Sequence, residues 1–221
     1  MKGHEAKYSG LLPLWMLLFA ALMFAVSPVR AAGERPSPEQ AKAFLSDLAN
    51  HAAMVLEKND EPLAKREAAL RDLLKGSFEI PLIARIALGK HWRRTPKNDR
   101  AVYTEVFGEF LLRTYGNKLA AFDRDTFEVV GAVPRGKRDV VVQTRILQEN
   151  GPPIKAGWRV RLFQGEPRII DIVIEGVSMA LNQRQEFAAV LTKGGLGGLM
   201  EMLRARTQRL PVEGPRTAAA G

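Results

Sequence analysis

Between Asp125 and Ser178 the chain changes period, and that change limits its fold more than any other feature. Thr126–Val133, Asp139–Gln148, Lys155–Phe163 and Arg168–Ile174 are rich in Val, Ile, Thr and aromatic residues. Pro134-Arg135-Gly136, Asn150-Gly151-Pro152-Pro153 and Gln164-Gly165-Glu166-Pro167 separate them. These separators are turn chemistry, so the segments read as consecutive antiparallel strands. Val142, Thr144 and Ile146 alternate with Gln143, Arg145 and Leu147, and Trp158, Val160 and Leu162 alternate with Arg159 and Arg161. One face of the sheet is therefore apolar and must be covered.

Helical periodicity supplies the cover. Ser37 is placed to cap a helix over residues 38–58, with Pro38 at its first position and Gln40 closing a capping box. Phe44, Leu48, Ala52 and Val55 form its stripe. Pro62 starts a second helix that ends at Gly76, and Phe78–Leu88 is a third, more apolar segment ended by Gly89. Pro96 opens a long helix with Tyr103, Phe107, Leu111, Tyr115 and Leu119 on one face. After Ser178 one helix runs to about Lys193, and another covers Leu196–Gln208 beyond Gly194-Gly195. Helices, a four-strand meander and helices again predict an α+β fold with the helices on one sheet face.

The first residues place the domain outside the cytoplasm. Lys2 and Lys7 precede an apolar stretch from Leu11 to Val26, and small residues follow at Val29, Ala31 and Ala32. This is the pattern of a secretory signal peptide cleaved after Ala31. The expected organisation is a leader at 1–31, one domain at 32–210 and a disordered Pro/Gly/Ala tail at 211–221. Cleavage lowers the net charge from +9 to about +7. In an exported protein that basicity suits anionic lipid or acidic partners, not nucleic acid. Arg93, Arg94, Lys97 and Arg100 are its densest cluster. The chain has no cysteine, so it can hold neither a disulfide nor a thioether lipid anchor.

Catalytic patterns fail when tested. Gly176-Val177-Ser178-Met179-Ala180 sits between a strand and a helix, as a nucleophile elbow does. That fold needs an acid and a histidine after the serine, but His4, His51 and His91 all precede it. Gly176 is better read as a turn and Ser178 as the cap of the next helix. No metal-ligand spacing occurs, and Lys193-Gly194-Gly195-Leu196-Gly197-Gly198 lacks the P-loop ending. No enzyme, metal or cofactor is expected. The excess of large apolar residues fits either an apolar ligand held inside or a packed core, and periodicity does not separate the two.

Several blocks together resemble a known family. They are Leu88-Gly89-Lys90-His91-Trp92-Arg93, Phe107 with Arg113-Thr114-Tyr115 and Leu119, and Asp171-Ile172-Val173-Ile174-Glu175-Gly176-Val177-Ser178. Asn182, Arg184 and Phe187 follow, then Gly195-Leu196-Gly197-Gly198-Leu199. Over residues 38–208 the chain resembles the MlaC family of periplasmic lipid-binding proteins, with the hopanoid-associated HpnM branch as a related possibility. The resemblance implies a four-stranded twisted sheet whose helices enclose acyl chains. It implies a periplasmic shuttle, acting as a monomer, between an inner-membrane ABC transporter complex and an outer-membrane lipoprotein complex. Phospholipid or a hopanoid-type lipid is the implied cargo. A cavity of several hundred cubic ångströms is expected between sheet and helices. Ile83, Phe107, Leu111, Tyr115, Val142, Ile146, Trp158, Val160, Ile172, Val177 and Phe187 are the expected lining. An adaptor that docks on membrane complexes without carrying lipid is the alternative.

Overall fold

A computed structural model describes residues 35–57, 60–120, 126–148 and 150–209, without the side chains of Leu63, Tyr115 and residues 117–120. The expected leader and tail lie outside these residues.

Helix α1 (Pro38–Leu56) begins as its sequence dictates. The Ser37 side chain accepts from the Gln40 N–H at 3.1 Å, and the Gln40 side chain accepts from the Ser37 N–H at 3.0 Å. Helices α2 (Leu63–Ser77) and α3 (Ile80–Leu88) follow, then a 3-10 turn (Gly89–Arg94) and α4 (Lys97–Ala120). The Phe78–Glu79 junction is pinned to the sheet, because the Glu79 N–H donates to the Ile169 carbonyl at 2.9 Å. Proline 96 sets the start of α4, its carbonyl accepting from the Arg100 N–H at 3.0 Å.

The sheet runs in the order β1-β2-β3-β4-β5, all antiparallel. Its strands are β1 (Phe127–Arg135), β2 (Asp139–Ile146), β3 (Ile154–Phe163), β4 (Glu166–Ile174) and β5 (Val177–Ser178). The sequence indicated a meander of four strands, and the structure adds the fifth. Two residues are too short to show alternation, so β5 had no periodic signal. Its hairpin was visible only as turn chemistry at Glu175-Gly176. Those residues have φ of 46° and 83°, and Gln164 and Gly165 in the β3–β4 hairpin have 53° and 87°. Two successive positive values are the type I′ geometry that matches strand twist. Two prolines assigned to turns are strand residues instead: Pro134 pairs with Val140, and Pro167 with Leu162. Pro134 is tolerated because β1 is an edge strand.

The inner sheet face places Val140, Val142 and Thr144 opposite Val160, Trp158 and Ala156, with Ile172 beyond Trp158. The Trp158 indole N–H donates to the Thr144 hydroxyl oxygen at 3.0 Å, and that hydroxyl donates to the Ala156 carbonyl at 3.3 Å. The polar atoms of this face are thereby satisfied where water is excluded.

Helix α5 (Met179–Arg209) breaks at Gly195, which has φ 59° and ψ −160°. Arg206 reaches Glu186 at 3.5 Å. A continuous helix would hold two residues so far apart in sequence about 30 Å from each other. Its two arms therefore fold back as a hairpin, at the glycine pair that divided the two expected helices.

On the other sheet face Asp139 is buried between two arginines. Arg161 donates from Nε to Oδ1 at 2.5 Å, and Arg159 from Nε to Oδ2 at 2.7 Å. Burial works to raise the Asp139 pKa. The hydrogen bonds from Arg161 and Arg159, with their charges, outweigh it, and the carboxyl titrates below its ordinary value. The folded state thus binds this proton more weakly than the unfolded chain does. The stabilisation is complete above the unfolded carboxylate pKa of about 3.9. It is lost as the pH falls below that value toward the lower folded one. Asp139→Asn is expected to cost about 2 kcal/mol at pH 7, less than a fully buried pair because Arg159 is 40% exposed. Chemical denaturation of both proteins from pH 7 to pH 3 checks this, and the gap between them should narrow in acid.

Candidate functional site

Apolar side chains from α3, α4, α5 and β4 converge on one seam. Phe78, Ile83, Phe107, Phe110, Leu111, Ile172, Met179 and Ala180 border a small pocket there, with Asp171 and Gln183 as its polar members. Helix geometry explains the grouping. Phe107, Phe110 and Leu111 are spaced three and four apart and share one face of α4. Tyr103, one turn earlier, donates its hydroxyl to the Ala84 carbonyl at 3.2 Å and ties α4 to α3. Burial pushes the Tyr103 phenol pKa upward, so it remains neutral.

Among the described residues the pocket at this seam has a volume of about 30 Å³, smaller than the several hundred expected for a cavity. Several of the expected lining residues also make aromatic contacts. Phe107 meets Phe187 edge to face at 6.1 Å, and Trp158 meets Phe127 similarly at 6.1 Å. Core and lining residues have the same composition, and direct packing recovers dispersion contacts that a void forfeits.

Of the expected lining residues, Ile83, Phe107, Leu111 and Ile172 come together at the pocket. Val142, Ile146, Trp158, Val160 and Phe187 are buried but do not border it. Val177 is elsewhere: it lies on β5 and is 51% exposed. The Tyr115 side chain lies outside the described residues. Phe78, Phe110, Met179, Ala180, Asp171 and Gln183 also border this pocket and were not among the expected residues. Met179, Ala180 and Gln183 fall in the first turns of α5, next to the motif that drew attention to Ser178.

The Ser178 hydroxyl is fully engaged. It donates to Asp171 Oδ2 at 2.6 Å, and its oxygen accepts from the Leu181 N–H at 3.2 Å. Asp171 Oδ1 also accepts from the Ala180 N–H at 3.1 Å. Serine and aspartate together satisfy the first turn of α5, where the helix dipole favours a carboxylate. No histidine takes part in these hydrogen bonds. The capping role expected for Ser178 is thus present, and its carboxylate partner was not foreseen.

Two separated blocks meet at Gly89. This residue has φ 59° and ψ −130°, and a Cβ there would lie 2.5 Å from Arg184 Nε. The Arg184 guanidinium therefore packs directly on the bare backbone that ends α3. Close by in sequence, Arg100 stacks over Trp92 at 5.3 Å and donates to the Thr95 and Arg93 carbonyls. Arg93, Arg94 and Lys97 remain exposed. Arg100, counted with them from the sequence, is a residue of α4 that braces the end of the 3-10 turn.

A family profile described as MlaC protein matches residues 46–205. The chain belongs to the MlaC family. The match includes α3, the 3-10 turn, α4, the whole sheet and most of α5, so the seam and the Gly89–Arg184 contact both lie inside the MlaC region. The chain is similar to the intermembrane phospholipid transport system binding protein MlaC of Haemophilus influenzae, at 22% identity over 86% of this chain and 91% of that protein. It is also similar to a solved phospholipid-binding protein from Ralstonia solanacearum, described in complex with a phospholipid. That likeness has a TM-score of 0.63 at 24% identity and covers 77% of this chain and 98% of the other. It shows the MlaC-type α+β fold.

Gly89→Ala is expected to cost about 2 kcal/mol, from strain at a glycine-only backbone conformation and the clash with Arg184. Adding Arg184→Ala should relieve the clash and leave the strain. Ser178→Ala should cost about 0.5–2 kcal/mol through the lost cap. Thermal denaturation measures all three. A Ser178→Ala protein that kept its melting temperature while losing an esterase activity would overturn the capping role.

Proposed function

We propose that this protein is a lipid carrier of the periplasm, and that the seam between β4 and helices α3, α4 and α5 receives the acyl chains. The observation that carries this reading is the lining: eight apolar side chains, seven from four elements and Phe78 from the junction before α3, with Asp171 and Gln183 beside them. Tails are costly in water, at about 0.8 kcal/mol per methylene. A carrier must enclose them and leave the headgroup wet. The name of the Haemophilus protein and the phospholipid bound by the Ralstonia protein support phospholipid as the cargo.

The pocket seen among the described residues holds about 30 Å³, so on this reading the helices move away from the sheet as a tail enters. The two arms of α5 meet at Gly194-Gly195, where nothing approaches the position of an added Cβ within 4 Å, so that joint has room to move. On this reading the leader at 1–31 exports the chain. The mature protein shuttles as a monomer between an inner-membrane transporter complex and an outer-membrane complex. Residues Arg93, Arg94 and Lys97 supply a basic contact for acidic partners or headgroups. A hopanoid-type lipid is a second cargo that the same apolar lining would accept.

The same small volume favours a second reading, an adaptor that docks without carrying lipid. Native mass spectrometry of gently purified protein decides between them. The carrier is expected to hold one lipid per chain. Met179→Trp, which adds bulk at the seam, should lower that occupancy several-fold while the fold persists at an overpacking cost of about 1–3 kcal/mol. Lipid-free protein from cells that contain it would establish the adaptor.

A further inference from the structure

The outer face of the sheet carries a larger recess than the seam, with a volume of about 610 Å³. Val130, Val133, Val141, Gly157 and Val173 line it, and Arg135, Arg145 and Lys155 stand around it. The floor is a row across three strands. Gly157 pairs with Gln143 on one side and Val173 on the other. A Cβ at Gly157 would come within 3.1 Å of Val141 and 3.8 Å of Val173. No side chain therefore rises from the middle of the floor. Val130 and Val133 form an apolar wall and are 52% and 45% exposed. Nothing among the described residues covers them.

The charges around the recess are unequal in their commitments. Arg145 shares Glu128 at 3.4 Å, and Asp139 is occupied by Arg159 and Arg161. The Lys155 backbone N–H donates to the Glu175 carboxylate at 2.7 Å, and the Lys155 side chain is exposed. Among the described residues Arg135 and Lys155 form no ion pair. Lys137 and Arg138 in the adjoining turn add two cations beside Arg135.

We propose that this recess docks an acidic segment of a partner protein, one with aliphatic side chains between its carboxylates. The aliphatic side chains would seat on the valine floor, and the carboxylates would meet Arg135 and Lys155. A bilayer surface is flat and does not reach the floor of a recess, so the occupant is a projecting chain. Strand addition at β1 is blocked by the irregularity between Val129 and Gly131 and by Pro134, which has no N–H. Docking is therefore through side chains on the sheet face. The recess lies on the opposite side of the sheet from the seam, so a loaded carrier presents it unchanged.

The test uses the purified protein, isotope-labelled for nuclear magnetic resonance. Three probes are titrated: the capped peptide Glu-Leu-Glu-Val-Glu-Leu-Glu, the same peptide with Lys for Glu, and phosphatidylglycerol vesicles. The acidic peptide is expected to shift the amides of Val133, Val141, Gly157 and Val173, and the basic peptide is not. Val133→Glu and Lys155→Glu should each weaken the acidic peptide by about tenfold or more, as one unfavourable charge placement does. Both sites are exposed, so melting temperature and bound lipid should stay as in the unaltered protein. Shifts confined to other surfaces, equal binding of both peptides, unaltered affinity in both variants, or vesicle binding through these same residues would each overturn the proposal.

Discussion

The edge-to-face contact of Phe107 with Phe187 holds the helical layer together over the sheet. Each ring is essentially inaccessible to solvent, and burying each contributes about 1.5–3 kcal/mol, with about 0.5–1.5 more from the ring geometry. Phe107 is on α4 and Phe187 on the first arm of α5, so the contact joins segments that come before and after the sheet in sequence. Tyr103 extends the cluster toward α3 through Ala84. Asp171 and Ser178 fix where α5 begins, and so where Phe187 falls. The seam at β4 lies among these contacts. Its lining is set by the same residues that stabilise the fold, which is why function and stability are hard to separate in this chain.

The sheet divides the molecule's chemistry. Its inner face is apolar, with polar atoms satisfied through Trp158 and Thr144. Its outer face carries a compensated acid at Asp139, bases at Arg135 and Lys155 that form no ion pair among the described residues, and a valine floor exposed by Gly157. A carrier needs both kinds of surface, one that hides a tail from water and one that is read by other molecules. The two are insulated from each other by a single layer of strands.

Local signals were legible in the sequence, and contacts between distant segments were not. The Ser37 capping box, the stop at Gly89, the start of α4 after Pro96 and the break at Gly195 all depend on neighbouring residues, and each stands where the sequence put it. The strands were found by alternation and by turn residues, but β5 was too short to alternate. Asp139 could not be recognised as buried, because register alone brings Arg159 and Arg161 to it. Asp171 as a cap and Arg184 over Gly89 are likewise products of the fold. At the seam, sequence identified apolar side chains but not which would meet: Ile83, Phe107, Leu111 and Ile172 share the pocket, whereas Val177, equally apolar, is on the surface.

The location of the acyl chains can be read directly with a phospholipid that carries a nitroxide near the end of one tail. Loaded into isotope-labelled protein, it should broaden the resonances of Ile83, Phe107, Leu111 and Ile172 and leave those of Val133, Val141 and Gly157 sharp. Broadening on the outer face, or none in a protein shown to be loaded, would contradict the placement of the lipid in the seam.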